Sequence, residues 1–120
     1  MAAPLLLTVP ADPAYVVVLR AATAAVASRP GFGFDQIEAL RLAVDELAAL
    51  ALAEPGATAD IQLTLEASDA GVLLQLRFSG SARPEDGFGW MVLRSLASSA
   101  EQVAEDGHVT VTLRALGQSG

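Results

Sequence analysis

Cysteine is absent from the chain, which excludes a disulfide framework, a thiolate nucleophile and any cysteine-based metal site. The interior is therefore compatible with a reducing compartment. Basic residues are scarce, with 7 Lys plus Arg against 14 Asp plus Glu and a formal net charge of −7. That balance opposes attraction to phosphate backbones and to anionic lipid, so neither nucleic acid nor a membrane surface is an expected partner. It suits a protein with a basic face, and it is also an ordinary means of staying soluble. Long hydrophobic runs are missing too, because Arg20, Arg41, Asp45 and Glu46 interrupt the best candidates for a membrane span. The opening segment is apolar but short, carries no basic leader and runs into Pro10 and Pro13, so it reads as a strand and not as a signal peptide. The expected location is the cytoplasm. Histidine occurs once. His108 heads a strand and reads as an exposed polar position, and without a histidine base Ser95, Ser98 and Ser99 make no hydrolytic triad.

What is present is enough for one core. The chain has 120 residues, 52% of them hydrophobic, and reads as a single domain over 1–120 with a loose tail at 117–120. Residues 5–9 form an apolar strand, ended by Pro10, with Asp12 placed to cap a helix and Pro13 at its first position. That helix is expected from about Pro13 to Ser28, with Tyr15, Val18, Leu19, Ala22 and Val26 at core spacing. A Gly/Pro-rich stretch over 29–33 stops it. Asp35, with Glu38 three positions on, gives a capping-box pattern for a second helix. In that helix Ile37, Leu40, Val44, Leu47 and Ala51 form a core face, while Leu42, Glu46 and Leu50 make a second stripe. Residues 54–57 close it.

From Thr58 the period changes to two. Ile61, Leu63, Leu65 and Ala67 share one face of a strand, a turn follows at 68–71, and Val72, Leu74, Leu76 and Phe78 share one face of the next, making a hairpin. A polar loop over 80–86 leads to a third helix expected from Gly89 to Gln102, with Val92, Leu93, Leu96 and Ala100 at helical spacing and Trp90 as a core or interface anchor. A last strand covers His108 to Leu116. The order strand, helix, helix, hairpin, helix, strand implies an α/β two-layer sandwich with helices on one sheet face and a polar face left open.

Three stretches carry a family resemblance: Phe34–Leu50 (FDQIEALRLAVDELAAL), the strand end Leu76–Gly80 (LRFSG), and Gly87–Ala97 (GFGWMVLRSLA). In order they resemble the boxes of the GHKL, or histidine-kinase-like, ATPases, and the element order and size are similar to the anti-sigma factor serine kinases of the RsbW and SpoIIAB type, in a degenerate actinobacterial form. The resemblance implies a Bergerat-type fold with a mixed, mostly antiparallel sheet and three helices on one face. It places Glu46 at the general base and Leu50 at the metal-holding asparagine of the helix box. A leucine has no oxygen for Mg²⁺. Phe78 stands where the family's aspartate recognises adenine, and an aromatic ring cannot accept that hydrogen bond. Gly80 keeps the first glycine of that box, Ala82 replaces the second, and Gly87, Gly89 and Thr110 stand at further nucleotide positions.

A glycine turn opening a helix can present N–H groups to phosphate, but here Glu85 and Asp86 precede it, the latter also a candidate cap. The loop is too short for the family's lid. The resemblance thus implies an anti-sigma factor with an eroded ATP site, one that sequesters an alternative sigma factor and is released by a STAS-type anti-anti-sigma partner. ATP and Mg²⁺ enter only through the family, and no other metal site is expected. Family members commonly dimerise through sheet edges near the first strand, here Leu5 to Val9. Val16, Val17 and Arg20 of helix one are the candidate partner surface. The rivals are an active serine/threonine protein kinase that uses Glu46 as base, and a pseudo-ATPase that keeps the fold for dimerisation.

Overall fold

The computed structural model describes residues 3–28, 31–53 and 60–116. The expected elements at 29–30, 54–59 and 117–120 lie outside the described residues. Strand β1 covers Leu5–Val9, helix α1 Val16–Ala27, helix α2 Phe34–Leu52, strand β2 Ile61–Ser68, strand β3 Gly71–Ser79, helix α3 Phe88–Leu96, strand β4 Ser99–Glu105 and strand β5 His108–Leu116. The five strands form one sheet in the order β1-β2-β3-β5-β4, and every ladder is antiparallel.

Alternation along each strand separates the faces. Ile61, Leu63, Leu65, Val72, Leu74, Leu76, Phe78, Val109, Val111 and Leu113 are buried, and they pack with Leu19, Leu40, Val44, Leu47, Trp90 and Leu93 from the helices. The other face carries Gln62, Thr64, Gln75, Arg77, Thr110, Thr112 and Arg114, and there Gln75 Nε2 donates to Thr112 Oγ1 across the β3–β5 ladder at 3.1 Å. This is the two-layer sandwich that the period-two strands and amphipathic helices require.

Three local expectations change. The first helix begins as a 3-10 turn at Pro13–Tyr15, where Asp12 Oδ1 accepts from the Ala14 N–H at 2.8 Å. Its buried residues are Leu19, Thr23, Val26 and Ala27, while Tyr15 and Val18 are exposed. The stripe is rotated because Thr23 can go inside once its hydroxyl donates to the Leu19 carbonyl at 2.8 Å.

Helix α2 starts one residue before Asp35, with Gly33 as its N-cap. Gln36 Oε1 accepts the Gly33 N–H at 3.2 Å, and Glu38 instead pairs with Arg41 at 2.6 Å. The reciprocal half of a capping box thus comes from Gln36, not from the Asp35 and Glu38 pair.

The third helix is shorter than its apolar spacing suggests. It ends at Leu96, and Ser99–Glu105 is a strand paired with β5, so Ala100 belongs to the sheet. The turn between β4 and β5 supplies the reason. Asp106 has φ 53° and Gly107 φ 77°, two successive left-handed residues that match the twist of a tight hairpin. An added Cβ on Gly107 would meet nothing within 4 Å, so a substitution there meets only the backbone cost. Gly107→Ala is expected to lower stability by about 1–2 kcal/mol, read from the urea midpoint, since L-residues disfavour this conformation.

Candidate functional site

Glu46 and Leu50 lie one turn apart on α2 and face α3 across the helix layer. The helix pair comes close because α3 offers a glycine there. A Cβ built on Gly89 would lie 3.2 Å from Glu46 Oε2 and 3.7 Å from Leu50 Cδ2. Glu46, Leu50 and Gly89 are thus close together. The Glu46 carboxylate sits beside the first turn of α3, whose unpaired N–H groups carry the positive end of the helix dipole. Gly87 is the N-cap of α3, with no side-chain cap bond, and its carbonyl accepts the Met91 N–H at 3.1 Å. Asp86 therefore precedes the helix without capping it.

The other residues of the expected nucleotide set separate. Gly80 has φ 142°, and its N–H donates to the Gly107 carbonyl at 2.9 Å, which ties the end of β3 to the β4–β5 turn. Thr110 is opposite Arg77 and Val103 on the sheet face away from the helices. There it lines a cavity of about 310 Å³ with Arg77, Val103, Glu105, Asp106 and His108. The whole sheet separates it from Glu46, so it does not share a site with that residue. The alternation of Val109, Val111 and Leu113 carried this parity already.

Phe78 is 2% exposed and points into the helix layer from the end of β3. Arg83 lies over it, with Cζ 5.8 Å from the ring centroid, while Nη2 donates to the Leu50 carbonyl at 2.7 Å. Nothing in the residue pattern around Arg83 marked it for this place. Gln102 holds the loop from β4: its Oε1 accepts the Arg83 N–H at 3.0 Å and its Nε2 donates to the Arg83 carbonyl at 2.6 Å. Glu85 pairs with Arg94 at 2.7 Å.

Where the family resemblance puts a metal ligand and an adenine acceptor, Leu50 presents hydrocarbon and Phe78 a ring, and neither side chain fits Mg-ATP. No cluster of three or more metal-binding side chains exists among the described residues.

On α1, Val16 is half-buried against the core, and Val17 is 59% exposed. Arg20 pairs with Asp45 of α2 at 2.7 Å, so its charge is shared within the helix layer. No described helix is long and apolar enough to cross a membrane.

The sequence profile of the histidine kinase-like ATPase domain matches residues 9–115. The crystal structure of the RsbU and RsbW domains of Rv1364c from Mycobacterium tuberculosis superposes with a TM-score of 0.79 at 20% identity, over 98% of this chain and 34% of that one. The chain thus spans about a third of the length of that solved chain. No curated protein matches it.

Proposed function

The chain belongs to the histidine kinase-like ATPase domain family, and from that premise we propose that it acts by binding a protein, as an anti-sigma factor of the RsbW kind whose nucleotide site no longer works. The observation that carries this reading is the pairing of Glu46 with a leucine side chain at position 50, in contact range of the same glycine. A general base there has no metal oxygen ligand beside it. Affinity for a partner then comes from exposed apolar anchors and complementary charge. The acidic balance of the chain suits a basic segment of a sigma factor. Val17, with Val16 and Arg20 beside it on α1, is the proposed contact region, and a STAS-type protein is the proposed antagonist. Among the described residues strand β1 pairs only with β2, and it exposes Leu5 and Leu6, which supports a homodimer built on that edge.

A second reading, a serine/threonine kinase that phosphorylates the antagonist, is favoured by one observation: Glu46 keeps its place at the start of α3. A pseudo-ATPase kept for dimerisation is the third. Titration calorimetry with Mg-ATP separates the kinase from the other two. No binding is expected at about millimolar nucleotide, whereas a micromolar Kd, some three orders tighter, would overturn the proposal and favour the kinase. Co-purification with the sigma factor encoded nearest to the chain tests the partner, and failure to retain any sigma factor would remove the anti-sigma reading.

A further inference from the structure

We propose that the groove between the C-terminal turn of α2, the end of β3 and the loop 80–87 is a guanidinium site, filled in cis by Arg83 and thereby closed to outside ligands. It rests on the reading that no nucleotide works here, but its test does not involve nucleotide or a sigma factor.

The site is built from three sides. Below it is the ring of buried Phe78, offering its π face to a cation 5.8 Å from the centroid. At one edge is the Leu50 carbonyl. Helix α2 ends at Leu52, so this oxygen is among the last four carbonyls of the helix and lies at its negative pole. Arg83 Nη2 reaches it at 2.7 Å, a charge-assisted bond to a group the helix itself leaves over. At the other edge, Gln102 grips the backbone of Arg83 through both its N–H and its carbonyl, as a neighbouring strand would. Gln102 belongs to the helix-facing side of β4, opposite Val111, so it is fixed by the sheet.

The grip continues outward. Gln102 Nε2 is also 3.3 Å from Glu85 Oε2, and the other oxygen of Glu85 holds Arg94 of α3 at 2.7 Å. The loop is therefore fastened to α2, β4 and α3 in turn. A short irregular loop joining a strand to a helix is ordinarily among the first parts of a domain to open. Here it is a strap, and its arginine is the plug. The chemistry selected by the pocket is that of a planar cation, a carbonyl plus a π face, which is the opposite of what a polyphosphate requires.

Residue-resolved amide exchange on the full chain tests the strap. The Arg83 N–H is expected to exchange at least about 100-fold more slowly than an open loop amide, and Gln102→Ala to remove that protection. Exchange of the wild-type Arg83 amide at the free-loop rate would overturn the proposal without any variant having to fold. The site itself is tested by chemical rescue. Methylguanidinium at about 20 mM should raise the melting midpoint of Arg83→Ala by roughly 2 °C or more while leaving the wild-type protein unchanged. Equal responses of the two proteins would show that no guanidinium site exists. Tight Mg-ATP binding by the wild type would refute the proposed function, whereas a mobile Arg83 with no nucleotide affinity would refute the strap alone.

Discussion

Phe78→Asp, which restores the residue that the family resemblance expects for adenine recognition, is expected to lower stability by about 3–5 kcal/mol and to add no nucleotide affinity. Phe78 is 2% exposed on the inward face of β3, opposite Val109. Truncating a buried aromatic ring costs about 3–5 kcal/mol in lost packing and cavity formation. An isolated buried carboxylate would add to that loss. Arg83 moderates this second cost, because its guanidinium already lies over the ring and would pair with the new carboxylate. The same pairing removes the acceptor that adenine would need. A urea titration gives the first outcome and calorimetry with an adenine nucleotide the second. For a domain of this size total stability is about 5–15 kcal/mol, so the variant stands near the edge of folding. Phe78→Leu, which keeps an apolar side chain and leaves no charge, is expected to lose much less. If the aspartate variant gained adenine binding, Arg83 would have to leave the groove, and the closed site would be wrong.

Trp90→Ala is expected to cost about 3–5 kcal/mol, and Trp90→Phe much less. Trp90 is 1% exposed, the largest of the fully buried side chains, and Arg94 lies over its ring at 5.7 Å. Alanine leaves a cavity between α3 and the sheet that neighbouring side chains fill only in part. Phenylalanine leaves a smaller one and also removes the indole N–H, which is buried without a hydrogen-bond partner among the described residues. A buried unpaired donor costs about 1–3 kcal/mol, so its removal offsets much of the lost volume. The two variants should differ by about 2 kcal/mol or more in denaturant unfolding, with unchanged slope. If phenylalanine cost as much as alanine, the indole N–H would have to hold a strong hydrogen bond, for example to an ordered water.

Some of the candidate site was legible from residue types. Helical spacing put Glu46 and Leu50 on one flank of α2, and the glycine at position 89 brought them against α3, where the added Cβ would sit 3.2 Å from the carboxylate. The alternation in β5 placed Thr110 on the polar face, although its position in the family's pattern suggested a nucleotide contact. Arg83 was not legible. Its partners are Leu50, Phe78 and Gln102, and no local period links positions so far apart in the chain.

The local patterns in the sequence determined the two-layer architecture, the inward faces of β2, β3 and β5, and the core stripe of α2. Each follows from side-chain chemistry repeated at a short period, 3.6 for a helix and 2 for a strand. Only the tertiary structure decided that residues 99–105 add a strand to the sheet, that α1 turns Thr23 inward and Tyr15 outward, and that an arginine fills the groove between α2 and β3. In each case partners distant in sequence decide. Residues 99–105 find backbone partners along β5, which the Asp106-Gly107 turn brings alongside. A buried polar group is admitted only where a partner waits, and those partners are set by packing between elements.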